Sequence, residues 1–392
     1  MKKLCNIFLA LAIIGIICMR FAFAPQKVEN NLFVDGVVAA MTDGKLCVVN
    51  KNGKIVASIS REDIEKSINA DIKDMFLYKG FDMEGFATYC YIHYKIPPDK
   101  GGIPWIYTGY INTKGELVLG NDFAPSGSFT NGLAPVTKEG KSGYIDTKGN
   151  AVIDFIYEET KPFNDGSIAP VRIESRYGYI NRSGEIVIER QFDEARSVVN
   201  GIAVAANKRL VKAWSEERGE YMATEKDYCL INDKSGEMIS VDYDEVADFA
   251  ENGLAAVRQG TLYGYIDDKG ETVITPQFIE AGEFGNGLAP VKTEDEKWCY
   301  INDKGEVVFE FEDTMKLGNF HNGLAWVVNA NGEYGYVNTD GKMVIEQKFV
   351  YNGDAMDFHS DGYAVVNKEI GKQGIIDKQG NYVLEPIYDY IG

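Results

Sequence analysis

Histidine occurs three times in this chain of 392 residues, as His93, His321 and His359, and no H-E-x-x-H pairs any two of them. Cysteine is almost as scarce. Beyond residue 24 there are Cys47, Cys90, Cys229 and Cys299, with no C-x-x-C and no zinc-like spacing. A Walker loop, a dinucleotide fingerprint and a G-x-S-x-G elbow are all missing. Acidic turns such as Asp267-Asp268-Lys269-Gly270 lack the alternating oxygens of a calcium loop. Catalysis needs a nucleophile, base or metal held beside an orienting partner, and no such constellation is suggested. The expectation is a protein that is not an enzyme and holds no cofactor and no metal.

Positive charge is also short: 40 Lys and Arg stand against 59 Asp and Glu, for a net charge of −19. Residues 1–24 hold Lys2, Lys3 and Arg20 and no acid, so the remainder carries 37 − 59 = −22. Such a surface repels phosphate backbones and anionic head groups, which argues against nucleic acid and against docking on lipid. The main apolar run lies at the N-terminus, from Ile7 to Met19, between Lys2-Lys3 and Ala22-Phe23-Ala24. This is the layout of an export signal, although Pro25 beside the cleavage motif makes an uncleaved membrane anchor the alternative. Residues 1–24 are therefore read as signal or anchor, 25–32 as a linker, and the protein as secreted or associated with a bacterial cell envelope.

What the chain has in abundance is turns and aromatics: 41 glycines, 23 tyrosines and 20 phenylalanines. The stretch from Gly264 to Val291, G-Y-I-D-D-K-G-E-T-V-I-T-P-Q-F-I-E-A-G-E-F-G-N-G-L-A-P-V, returns nine times in degraded forms. Its turn glycine recurs at Gly53, Gly115, Gly149, Gly184, Gly236, Gly270, Gly305, Gly341 and Gly380, with a basic spacing near 35 residues. That period marks a repeat architecture. The Asn or Asp three places before each glycine can hydrogen-bond its own downstream backbone, and the glycine supplies a positive φ. A second marker, F-x-[ND]-G-[LI]-A, as in Phe284 to Ala289, opens each unit. Short alternating segments such as Leu288 to Val291, Tyr300-Ile301 and Val307 to Phe309 predict antiparallel strands in a meander. Pro276 and Pro386 are expected at a strand end or edge. Cys47, Cys229 and Cys299 fall at the slot of Gly264, which calls for a small residue and predicts packed thiols rather than disulfides.

The units resemble the WG repeat of bacterial proteins, also called KWG. The resemblance spans residues 33 to 388. The tryptophan that names the repeat survives only as Trp298; elsewhere its slot holds mostly tyrosine, among them Tyr177, Tyr228, Tyr263 and Tyr334. The family motif contains no catalytic residue, so the resemblance implies a repeat fold, with the role of the family in exported and surface proteins mostly unknown.

The expected fold is all-β: a tandem array of nine repeats of about 35 residues over 33–392, stacked as an open, curved or superhelical solenoid. A closed propeller-like ring is the alternative, disfavoured because no strand visibly passes from one end to the other. Three insertions depart from the pattern: 60–75, expected as a helix with Ile64, Ile68, Ile72 and Met75 on one face behind a Ser60/Asp63 capping box; 95–105, a Pro- and Gly-rich loop; and 211–226, an excursion with Trp214 and Tyr221. Function is expected where the repeat is broken, and the candidate binding residues are Trp214, Tyr221, His321, Trp326 and His359. His321 and His359 occupy the same slot of successive units. The resulting expectation is an exported, non-catalytic scaffold presenting a repeat surface to a protein or glycan, with an envelope hydrolase on a propeller-like fold as the alternative.

Overall fold

The computed structural model describes residues 31–69, 71–93, 105–118, 123–215, 219–353 and 357–392. They form nine antiparallel sheets, each a meander as the alternation predicts. Blade 4 shows the plan: a short strand a, Glu159–Thr160, then b, Ile168–Ile173, c, Arg176–Asn181, and d, Ile186–Phe192. Strand d is the outer edge, where Ile186 and Val187 are exposed while Ile188 and Phe192 turn inward. Pro276 and Pro386 lie inside the d strands Thr272–Phe278 and Tyr382–Tyr388 rather than at their ends, and an edge strand tolerates the missing donor.

The repeat closes on itself, and the expected open solenoid is incorrect. Blade 1 consists of Val37–Thr42, Lys45–Asn50 and Ile55–Ile59, and its strand a comes from the other end of the sequence: Tyr390–Ile391 pairs antiparallel with Met41 and Ala40. Hydrophobic clusters bridge every blade junction, among them Tyr179 and Ile188 of blade 4 against Ala203 and Ile231 of blade 5. One of them joins the ends, packing Val38, Cys47 and Val49 of blade 1 against Ile375, Leu384 and Tyr388 of blade 9. In an open stack the outer faces of the terminal repeats would have no neighbour; here each buries the other. The architecture is a nine-bladed β-propeller.

The glycine of G-Y-I and its cysteine substitutes have a shared geometric cause. In blade 6, Tyr263 pairs with Phe278 but Tyr265 pairs with Ile274, so strand d carries two extra residues opposite Gly264. That bulge brings the Ile274 carbonyl to 2.3 Å from where a Cβ on Gly264 would sit. In blade 7 the ladder runs evenly from Trp298 with Phe311 to Tyr300 with Phe309, and Cys299 fits. Cys47 and Cys229 likewise face unbulged partners, Ser58 and Ser240. The four cysteines among the described residues, Cys47, Cys90, Cys229 and Cys299, are free thiols.

Where the same motif carries a tyrosine, that side chain ties its blade to the next. Tyr144, Tyr179, Tyr265 and Tyr300 donate their hydroxyls to the carbonyls of Lys161, Arg196, Gly282 and Gly318, at 2.7 to 3.0 Å. These acceptors lie just beyond strand a of the following blade, so a buried phenol satisfies itself by positioning its neighbour.

In the first insertion, the helix spans only Arg61–Ile68, capped by the expected Ser60/Asp63 box and ended by Asn69 in the left-handed region. Ile72 and Met75 instead belong to a strand, Ile72–Lys79, which is strand a of blade 2. They are buried there with Leu77, because pairing with Phe86–His93 satisfies the backbone that a continued helix would have kept to itself. Among the described residues no helix is long and apolar enough to cross a membrane, and the leader, 1–24, lies outside them.

Candidate functional site

Strand direction sorts the turns onto two faces of the ring. Strands a and c run one way and b and d the other, so the a–b and c–d turns share one face. The b–c turns and the d-to-a connections share the opposite face.

The a–b turns are the F-x-[ND]-G markers, and they form an inter-blade belt. The Asp82 carboxylate accepts from Phe129 N at 2.8 Å; Asn164 Nδ2 donates to Val198 O, Asn200 Nδ2 to Phe249 O and Asn322 Nδ2 to His359 O. Each bond reaches the turn of the following blade. The belt crosses the closure too, since Asp361 accepts from Leu32 N and Phe33 N of blade 1. The c–d turns are built as expected. Asp267 Oδ1 accepts from Lys269 N and Glu271 N, and Gly270 sits at φ 76°. In several blades the residue after the Asn or Asp reaches the marker of the preceding blade. Thr113 bonds Asp35, Arg182 bonds the Thr130 and Asn131 carbonyls, Asp233 accepts from Ser167 N, and Lys378 bonds Asn322. Lys51 of blade 1 makes the same step across the closure, with its ammonium 4.5 Å from the ring centre of Tyr363.

Burial raises the Asp82 carboxyl, whose bonds from Phe86 N and Phe129 N oppose the shift, to about 7. Three of the residues singled out from sequence lie near this face. Trp326 donates from Nε1 to Asp357 Oδ1 at 2.9 Å, and His321 Nε2 lies 3.5 Å from Asp357 Oδ2. Trp326 is buried, its ring 5.7 Å from that of Tyr351. His359 holds the marker turn, its N–H donating to Tyr363 O. Burial raises the Asp357 carboxyl, against the nearby His321, the Trp326 bond and His359. His321 and His359 thus both act on the charge of one aspartate, Asp357, which the sequence pattern alone did not single out. Its signal was available: Asp357 directly precedes marker Phe358, as Asp248 precedes Phe249, and Asp248 likewise bonds an adjacent blade, through Arg196 at 3.0 Å. Chemically, this arrangement holds blade 9 against blade 8. Among the described residues no three His, Cys, Asp or Glu side chains are placed to hold a metal ion.

Trp214 and Tyr221 belong to the opposite face. They lie on a long b–c hairpin of blade 5, Ile202–Ser215 with Gly219–Asn232, where Tyr221 pairs with Ala213 and Trp214 with Glu220. Neighbouring strands stop early: strand a pairs only with Ala205 and Ala206, and strand d only with Tyr228 to Ile231. The rest of the hairpin projects as a two-stranded arm with Leu210 70% and Met222 55% exposed. The five candidates therefore form no single site. The insertions do converge, however. The helix Arg61–Ile68 is a d-to-a connection, the arm is a b–c hairpin, and the Pro- and Gly-rich loop joins strands b and c of blade 2, Phe86–His93 and Trp105–Asn112, so both ends of it open on the same face. That loop, read from sequence as 95–105, lies outside the described residues except for Trp105.

A search of the curated proteins finds no significant match. Among solved structures, a eukaryotic initiation factor is similar over 88% of this chain and 94% of its own, with TM-score 0.54 and 10% identity. BamB from Moraxella catarrhalis (TM-score 0.37, 11% identity, 91% and 93% covered) and the Dos1 propeller (0.39, 11%, 75% and 90%) are more distant. At such identities the first of these likenesses speaks to the fold alone. The repeat itself is decisive: the WG containing repeat matches residues 109–141, 143–177, 177–207, 228–261, 263–298, 298–332, 334–371 and 374–392. With most of its length accounted for by these matches, the chain belongs to the WG containing repeat family.

Proposed function

We propose that this WG-repeat propeller is an exported, non-catalytic binding scaffold that presents one face of its ring to a protein or glycan partner. The observation that carries the reading is the segregation of irregularity. The face of the a–b and c–d turns is committed to holding blades together, whereas the helix and the blade 5 arm leave the opposite face, on which blade 2 strands Phe86–His93 and Trp105–Asn112 also open. Repeat proteins vary where they bind, because insertions on the free face leave the stacked core undisturbed. Placement outside the cytoplasm rests on the basic, apolar and A-x-A pattern of residues 1–24.

The test is retention of envelope proteins and glycans on the immobilised chain, compared with a variant in which 208–226 is replaced by the two-residue turn Gly260-Thr261 of blade 6, closing the hairpin on the Asn207–Asp227 pair. Loss of a retained component in the variant supports the reading; identical retention, or none by either chain, overturns it. Cell fractionation with N-terminal sequencing tests export, and an intact N-terminus in the cytosolic fraction overturns that part.

A further inference from the structure

We infer that the blade 5 arm is a dimerisation element, and that a second copy of this chain pairs antiparallel with residues 219–227 through a two-fold axis at Ala223. Asp193 N donates to Ala206 O, Arg196 N to Val204 O and Asp193 Oδ2 accepts from Lys208 N, so the even-numbered residues of the first arm strand turn their backbone groups towards strand a. The ladder pairs even with even residues, Lys208 with Lys226 and Leu210 with Thr224, and partners in an antiparallel ladder point the same way. Glu220, Met222, Thr224 and Lys226 therefore turn their N–H and C=O groups to the outer edge of the second strand. Strand d covers that edge only as far as Tyr228, and among the described residues no strand covers 219–227. A two-stranded ribbon is marginal alone, whereas three or four strands are not. A long open edge without proline also invites another strand.

The sequence of the edge selects its occupant. An antiparallel copy centred on Ala223 sets Glu220 against Lys226 of the second copy and Lys226 against its Glu220, Met222 against Thr224, and Tyr221 against Glu225. Opposite charges meet twice and like charges nowhere, and each of these groups also has a partner within its own chain, Glu220 in Lys212 at 2.8 Å and Lys226 in Glu194 at 2.7 Å. The small Ala223 side chains fall at the non-hydrogen-bonded pair, where strands approach most closely. The other four outward pairs exchange about eight backbone hydrogen bonds, two for each. This register also uses the whole vacant edge. The first arm strand has no equivalent: centred on Val211 it matches no opposite charges, and centred on Lys212 it sets lysine against lysine. Nine residues of strand extend about 30 Å, so antiparallel overlap places the two rings at opposite ends of the paired arms, where they do not collide. The pairing depends on edge geometry alone, and it holds or fails separately from the ligand reading above.

Sedimentation velocity of the full chain at micromolar concentrations tests it. The wild type is expected at twice the monomer mass. Glu220→Lys and Lys226→Glu each set like charges opposite one another twice and are expected to weaken dimerisation about tenfold. The combined E220K/K226E variant restores the opposition with exchanged signs and should recover the dimer. Each single substitution also breaks an ion pair within the chain, Glu220 with Lys212 or Lys226 with Glu194, so the melting transition is recorded for every variant. Rescue by the double variant, which restores neither of those pairs, isolates the contact between copies. A monomeric wild type overturns the inference and leaves the edge to a foreign strand. A dimer indifferent to the single substitutions, or not rescued by the double one, overturns it as well.

Discussion

Replacing Ile391 by alanine tests the closed ring directly. Ile391 is the penultimate residue, yet only 4% of it is exposed, and it packs in the cluster that joins blades 9 and 1. Its N–H donates to Gln373 Oε1 at 2.7 Å, and on either side Asp389 N donates to Met41 O and Gly392 N to Ala39 O. Truncating a buried isoleucine removes its transfer energy and leaves a cavity, a cost of about 2–5 kcal/mol. Ile387, four residues earlier, is 59% exposed on the outer strand and provides the matched control, expected to cost no more than about 0.5 kcal/mol. In an open array both residues would sit in a fraying terminal repeat and both changes would be nearly silent. The assay is urea unfolding followed by tryptophan fluorescence. A loss of about 3 kcal/mol on a slope of about 3 kcal/mol/M lowers the midpoint by about 1 M for Ile391→Ala. Equal midpoints for the two variants would falsify the latch.

Gly264→Ala is expected to cost about 3 kcal/mol or more in the same assay, because the new methyl meets the bulged Ile274 carbonyl; Cys299→Ala, in the equivalent slot without a bulge, should cost about 1.5 kcal/mol or less. Tyr265→Phe keeps the buried ring but strands the Gly282 carbonyl, and a loss of about 1–3 kcal/mol in unfolding free energy is expected. Asp82, raised by burial to about 7, binds its proton more tightly in the folded chain than in the unfolded one. Its contribution to stability is therefore full at about pH 4 and is lost as pH rises through about 7, so the wild-type melting temperature should fall across that window relative to Asp82→Asn, and parallel profiles for the two chains would show that the site does not titrate there.

Much of the blade was legible because its determinants are local. The Asp267 and Gly270 turn, the Tyr265 and Ile274 core positions and the alternation of Leu288 to Val291 each need only a few neighbouring residues, and the repetition confirms them. Strand a was missed because it is two residues long in most blades, too short for any periodicity. Its signature was nonetheless present. Tyr390-Ile391 follows aromatic Tyr388 at the spacing by which Glu280-Ala281 follows Phe278, so it reads as a strand a, and its pairing partner is blade 1. The helix was overextended for a related reason: Ile64, Ile68, Ile72 and Met75 suit a helical period, but Asn69 takes the left-handed conformation, and burial from Ile72 onward follows strand pairing.

Closure itself depends on the sum of small rotations between blades, and no single repeat encodes that sum. What the residues do encode is the belt, and it makes closure an accountable quantity. The marker turn that bonds Phe129 from Asp82, or His359 from Asn322, would be left without a neighbour in the last unit of an open stack; Asp361 of the blade 9 marker instead finds Leu32 and Phe33. The position after the turn Asn or Asp reaches backward, and in the first unit Lys51 finds Tyr363. Forward and backward contacts from the two terminal units thus satisfy each other. The residues that looked functional by breaking the pattern divide accordingly. His321, Trp326 and His359 gather around Asp357 on the face that locks the ring, while Trp214 and Tyr221 stand on an arm whose edge the ring leaves open. A departure from consensus on the locked face is answered by a neighbouring blade. One on the arm lies beyond the neighbouring strands, which pair no further than Ala206 and Tyr228, and recognition is proposed there.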